Sequence, residues 1–175
     1  REALKENAHL FLGIDDGYML PHAVDDRGRC MGGFWTGTVD HGCTALVADM
    51  MFNYYRYSMD KKFLKEVAFP FMAGAMRVYE ELLEREDDTF VLPVGVSPEY
   101  GGAGMNAWGR NASFQLACIH RLCEDLLDAA NALGQRPRPI WREILSELPK
   151  ATVIDGKHIG LWEGMPLEQS HRHHS

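Results

Sequence analysis

The sequence predicts a mostly α-helical protein built from antiparallel helix pairs, and three features of it point there. Apolar residues recur at spacings of three and four over several long segments, the period of a helix with one buried face. Gly and Pro punctuate those segments mainly at helix ends, with Gly42, Pro70 and Gly74 as the exceptions. The connections are unequal, long and Gly/Asp-rich in some places and a few residues in others. Long loops gathered on one side suit an (α/α) toroid whose loops line a central cleft, while periodicity alone serves an irregular bundle equally well. No 34- or 40-residue repeat recurs, which disfavours a simple solenoid.

Taken in order, residues 1–8 read as the end of a helix. A stretch from Gly13 to Gly37 follows, rich in turn formers such as Asp15-Asp16-Gly17 and Asp25-Asp26-Arg27-Gly28, and reads as a structured loop. Loops of that length inside compact domains are usually functional. Residues 38–57 form the first long helix, with Val39, Cys43, Leu46, Val47, Met50, Met51 and Tyr54 as its apolar stripe. Ser58-Met59-Asp60 makes a turn, and Asp60 is the N-cap of a second helix running to residue 84. Pro70 predicts a break or kink in it near residues 67–69, because proline has no N–H to donate. Past that point Phe69, Met72, Met76, Tyr79 and Leu83 make its apolar face.

Residues 89–92 read as a short extended segment leading into the loop Val94-Gly95-Val96-Ser97-Pro98-Glu99-Tyr100-Gly101-Gly102. A third helix spans residues 112–133, with Ile119, Leu122, Cys123, Leu126, Ala130 and Leu133 inward and Gly134 as its stop. Pro139 opens a fourth helix and Pro149 closes it. Ile154-Asp155-Gly156-Lys157-His158 predicts a tight turn between two short strands, residues 152–154 and 159–162.

Composition narrows the function. The chain has 175 residues, 46% hydrophobic and 25% charged, which fits one globular domain or a piece of a larger one. A net charge of −7 argues against nucleic acid or an anionic membrane as partner. No apolar run approaches the roughly 18 residues needed to span a bilayer, and the first residues read as a helix and not as a signal peptide. Cys30, Cys43, Cys118 and Cys123 contain no Cys-x-x-Cys pair and read as buried free thiols.

Three features bear chemistry. Glu99 sits on an irregular loop stiffened by Pro98 and Tyr100, where a carboxylic acid can be held beside a leaving oxygen; its plainer reading is a solvated or helix-capping Glu. His171, His173 and His174 close the chain, a set open to metal ligation, to polar substrate contact or to a packing role. Trp35, Trp108 and Trp162 lie in or beside loops, as sugar-stacking platforms and packing lids both do, whereas Trp141 is helical and reads as core.

In order, the stretch Asp40 to Leu64 (DHGCTALVADMMFNYYRYSMDKKFL), FPFMAGAMRVYEELL, the VSPEY loop, DLLDAANALG and IGLWEGMPLEQSHRHHS resemble the catalytic domain of glycoside hydrolase family 95, the inverting α-L-fucosidases and their relatives. The likeness runs from about Gly32 onward and is most specific at the Ser-Pro-Glu and His-Arg-His-His-Ser elements. It implies a partial (α/α)6 barrel spanning residues 1–175, truncated at both ends, that cleaves a terminal α-linked sugar such as an α-L-fucoside or α-L-galactoside. Glu99 would match the general acid. His171 and His173 would match substrate-contacting histidines, with Trp35 and Trp108 as further substrate contacts. The implied partner is an oligosaccharide or polysaccharide, the implied compartment periplasmic or extracellular, and no metal or other cofactor is implied. The family's water-activating asparagines and Asp lie in motifs this chain does not contain, so the piece alone is expected to be inactive. Where the family's helix shows a Trp and a Gln-His pair this chain has Leu46 and Asp49-Met50, and Ala112-Ser113-Phe114 stands for a Thr-Met-Asp pattern. A related sugar phosphorylase or epimerase, or a non-catalytic carbohydrate-binding (α/α) domain, is the alternative.

Overall fold

A computed structural model of the chain describes residues 1–31, 37, 40–97, 100–101 and 104–166. Its main helices are α1 (Glu2–Leu12), α2 (Gly42–Ser58), α3 (Phe69–Leu82), α4 (Ser113–Leu133) and α5 (Pro139–Glu147). Two antiparallel hairpins accompany them, β1 (Glu84–Glu86) with β2 (Thr89–Val91) and β3 (Val153–Ile154) with β4 (His158–Ile159). The all-α expectation holds, and the consecutive helix pairs are those of a sector of an (α/α) toroid. No helix among the described residues is long and apolar enough to cross a membrane.

Local chemistry sets the helix ends. The Asp60 carboxylate accepts from the Phe63 N–H at 2.9 Å and starts a short α-turn, Lys61–Phe63. A π-turn over Leu64–Ala68 follows, with the Phe69 N–H bonding back to the Leu64 carbonyl. Pro70 explains it: a proline cannot donate to the carbonyl four residues earlier, and one extra residue in the turn absorbs the misfit. The expected break therefore takes the form of a π-turn feeding α3. Gly134, at φ 64°, ends α4 in the left-handed conformation that costs glycine least.

One core joins α2, α3, α4 and α5, built on Phe52, Leu64, Met72, Met76, Leu122 and Leu126 among others. The apolar faces expected of α3 and α4 are the buried ones. The face expected of α2 is so only in part: Val39 lies outside the described residues, Cys43, Val47 and Met51 are half-buried, Leu46, Met50 and Tyr54 are exposed, and α2 buries Thr44, Ala45, Ala48, Phe52 and Tyr55. Alanines at two successive turns let α3 and α4 approach closely, which the bulkier stripe would prevent. Cys30 and Cys43 are only half-buried, so the expectation of four buried thiols holds for Cys118 and Cys123 alone. Helix α1 runs on to Leu12, four residues past its expected end.

Buried polar groups fix how the helices meet. Glu80 receives Arg77 at 2.7 Å, Arg138 at 2.8 Å and the Trp141 indole N–H at 3.2 Å, which ties α3 to α5. His120, on α4, bonds the Leu148 carbonyl at 3.0 Å just past the end of α5. The Tyr79 hydroxyl, on α3, donates to the His41 carbonyl at 2.5 Å and accepts the Ala45 N–H at 3.1 Å. It thereby seats the first turn of α2 on the core. Tyr79→Phe takes the hydroxyl from the Ala45 N–H and from the His41 carbonyl, which keeps only the Thr44 N–H, so chemical denaturation should show a loss of about 1–3 kcal/mol.

Candidate functional site

The loops that open α2 and α4 meet at one end of the bundle. Residues 13–31 return from α1, and Leu20 exchanges two hydrogen bonds with the Thr44 hydroxyl, its N–H donating at 2.9 Å and its carbonyl accepting at 3.1 Å. That lays residues 20–22 along the first turn of α2. His22 lands there with its Nδ1 3.0 Å from Asp40 Oδ2. Asp40 is 1% exposed, and its other oxygen accepts from the Gly42 N–H at 3.0 Å and the Gln115 amide at 3.4 Å. Gln115 passes the connection on, because its oxygen accepts the Val96 N–H at 2.9 Å. A continuous polar chain therefore runs from His22 through Asp40 and Gln115 to the backbone three residues before Glu99.

The loop after β2 is stitched down at several points. Gly95 and Gly109 exchange backbone hydrogen bonds at 2.8 and 2.9 Å. The Asn111 side chain accepts the Leu92 N–H at 2.8 Å and donates to Glu163. Arg110 grips Glu86 through two hydrogen bonds, at 2.6 and 2.8 Å, and pairs with Glu163. Tyr100 packs edge-on against Trp162 with ring centroids 5.5 Å apart, in a small cluster with Ala112 and Leu161. Glycine at position 109 is a steric necessity, since a Cβ there would lie 2.0 Å from the Trp162 ring.

Electrostatics at this end follow from burial. His41, 3% exposed, lines a cavity of about 210 Å³ with Phe11, Leu12, Met19, Leu82 and Val94. Neither of its ring nitrogens closes a hydrogen bond of good geometry among the described residues. Burial holds its pKa below the ordinary value, against the opposing influence of the Asp40 charge and the Val94 backbone. Burial, with Asp40 adding to it, pushes the Cys43 thiol up to about 11.

A second cavity, about 420 Å³, runs between α2 and α4, walled by Leu46, Phe114 and Ala117 with Asp49, Asn53 and Arg121 at its polar end. Arg121 donates to Asp49 at 3.0 Å and lies 3.1 Å from Asp125. Burial, outweighing Arg121 and helped by Asp49, raises Asp125 to about 7.

Of the site residues expected from sequence, Trp35, Glu99, His171 and His173 lie outside the described residues. Trp108 is described: it is 43% exposed, and its indole N–H is tied back to the Met105 carbonyl at 3.0 Å. Trp162 is a packing residue, 8% exposed beneath Tyr100, and not an open platform. The carboxylates of the 13–37 loop are turn or surface groups as expected, Asp25 accepting from the Arg27 and Arg29 N–H groups and Asp16 meeting Arg77. Sequence reasoning missed the His22–Asp40 pair and Gln115. The only signal was an Asp two residues before a helix, which reads as an ordinary cap.

The family described as the glycosyl hydrolase family 95 catalytic domain matches residues 1–175. A kojibiose hydrolase from Mucilaginibacter mallensis is 25% identical over 175 residues, an alignment covering 96% of this chain and 25% of that protein. The chain thus spans about a quarter of that relative's length.

Two outcomes follow from the geometry. Gly109→Ala should lower stability by about 1–3 kcal/mol by driving Trp162 off its seat, readable in a denaturation midpoint. Asp125 has a folded pKa above its unfolded value of about 3.9, so it favours folding fully only below that value. Its contribution is lost as pH rises through about 7. Unfolding free energy followed against pH should therefore fall across that window in the wild type and stay flatter in Asp125→Asn.

Proposed function

The chain belongs to the glycosyl hydrolase family 95 catalytic domains, and we propose that it supplies the acid half of an inverting, exo-acting glycosidase that releases a terminal α-linked sugar. Glu99 is the proton donor in this reading, with Trp35, Trp108, His171 and His173 contacting the sugar.

The observation that carries the reading is the support around the Ser97–Tyr100 loop. Ser97 and Tyr100 are buried on either side of Glu99, at 3% and 9% exposure. The Val96 N–H is pinned by Gln115, and Tyr100 is pinned by Trp162. A general acid has to be held within hydrogen-bond reach of one leaving oxygen, so a loop anchored on both sides of the carboxyl group suits the task. The same contact supports a shared cleft for the histidines, because Trp162 stands five residues before the 167–175 segment that carries them. Asp40 is a poor candidate for the water-activating base, as both its oxygens are committed to protein partners. An inverting pair needs its carboxyl groups roughly 6.5–9.5 Å apart with room for water between them.

The sugar is an α-L-fucoside or α-L-galactoside in this proposal. The relative's name brings kojibiose into the same test.

In the full-length protein, Glu99→Gln should cut turnover of a poor leaving group by about 10²–10⁴-fold. An activated aryl glycoside should lose far less, because a weakly basic leaving group needs little protonation. Equal losses on both substrates would remove Glu99 from the acid's role. Running the panel over fucoside, galactoside and kojibiose separates the substrate from the mechanism.

A further inference from the structure

We propose that His22, Asp40 and Cys43 form a binding site for a divalent cation of the zinc class, which clasps the loop after α1 to the first turn of α2. One ligand atom from each residue lies within 4.8 Å of the other two. A tetrahedral zinc ion, with bonds of about 2.0–2.3 Å, sets its ligand atoms about 3.3–3.8 Å apart. The three donors thus need shifts of about an ångström or less, the closest pair opening from 3.0 Å and the widest closing.

The donor chemistry selects the ion. A thiolate, a carboxylate and an imidazole together suit zinc or cobalt, and are too soft a set for magnesium or calcium. One thiolate and one carboxylate neutralise a divalent charge, so the ion enters without leaving excess charge in a half-buried site. On binding, the Cys43 thiol releases one proton to solvent. The ion also takes the place of the proton between His22 and Asp40, that Nδ1 proton passing to Nε2 so that the imidazole stays neutral.

The surroundings are those of a held ligand set and not of a chance cluster. The Asp40 oxygen turned away from His22 is fixed by the Gly42 N–H and the Gln115 amide, the kind of outer support that orients ligating carboxylates. The double hydrogen bond between Leu20 and Thr44 holds the His22 backbone against the helix that bears Cys43. The Cys43 thiol already leans on the His22 carbonyl at 3.9 Å. Asp40 is buried, whereas His22 is 25% exposed in its side chain, which leaves a route for the ion to enter. Three protein ligands leave a fourth position for water. Spacing in the sequence hides the set, because His22 and Cys43 are 21 residues apart with no short motif between them.

The test uses the full chain, stripped with a chelator and titrated with Co²⁺. A sulfur-to-cobalt charge-transfer band saturating at one equivalent is expected. It should vanish in Cys43→Ser, persist in Cys30→Ser, and be displaced by Zn²⁺. His22→Gln should weaken cobalt binding at least tenfold while leaving the far-ultraviolet circular dichroism unchanged, which guards against a variant that fails to fold. Zn²⁺ should raise the melting temperature of the wild type and not that of Cys43→Ser. The proposal fails if no charge-transfer band forms, if the band survives Cys43→Ser, or if cobalt binds without sulfur, as it would on the terminal histidines.

Discussion

The hydrogen bonds of the Tyr79 hydroxyl are what the loop-bearing end of α2 depends on. Tyr79 is fully buried on α3, yet its hydroxyl reaches the His41 carbonyl and the Ala45 N–H on either side of the start of α2. The N–H groups of a helix's first turn have no partner within the helix. Ordinarily a cap residue or water satisfies them; here a side chain from a neighbouring helix binds the next N–H, that of Ala45, and the carbonyl of the N-cap His41. Burial raises the phenol's pKa well above its usual value, so the group stays a neutral donor and acceptor across the whole working range of pH. The start of α2 is seated by this contact: His41 lies beside its cavity, and Asp40, next in the chain, meets His22 and Gln115.

From there the order spreads into loops that have almost no regular structure of their own. The described residues between 92 and 111 hold together through paired glycines, one asparagine and one arginine, which satisfy backbone and carboxylate groups. Exposed ion pairs contribute little individually. The Arg110 pair is bidentate and shares its arginine with Glu163, so its effect is to choose one loop geometry among several. A loop fixed this way can carry a side chain to a stated place without a strand or helix beneath it, which is what a site at the rim of a helical fold requires.

Much of the fold was legible because helix punctuation is local. Asp60, Gly134 and Pro139 each act within a few residues of themselves, and each stands where its chemistry predicts. Hydrophobic periodicity was a less sufficient guide. On α2 two faces are apolar, and the pattern of large residues marks Leu46, Met50 and Tyr54, while the core takes the alanines because helix axes close best over small side chains. The hairpin of β1 and β2 escaped notice since Glu84-Arg85-Glu86 has no apolar alternation, its pairing coming from the partner strand and from Arg85 and Arg110. Trp162 reads from sequence as a loop tryptophan, and only the glycine opposite it shows that it is packed. The contiguous motif read from the sequence includes Ser97 and Tyr100, both of which are buried. The polar chain of His22, Asp40 and Gln115 was illegible because its members stand 18 to 75 positions apart.

The π-turn at Leu64–Ala68 reaches further than its five residues. Each residue advances a helix by about 100°, so one residue more or less before α3 turns every later side chain by that angle. Tyr79 meets α2 only because the extra residue is there. A chain with a perfectly regular helix in this place would point that phenol elsewhere and leave the first turn of α2 unanchored. A length change of one residue, about 16 Å of helix from the phenol it aims, is in this fold a change to the rim.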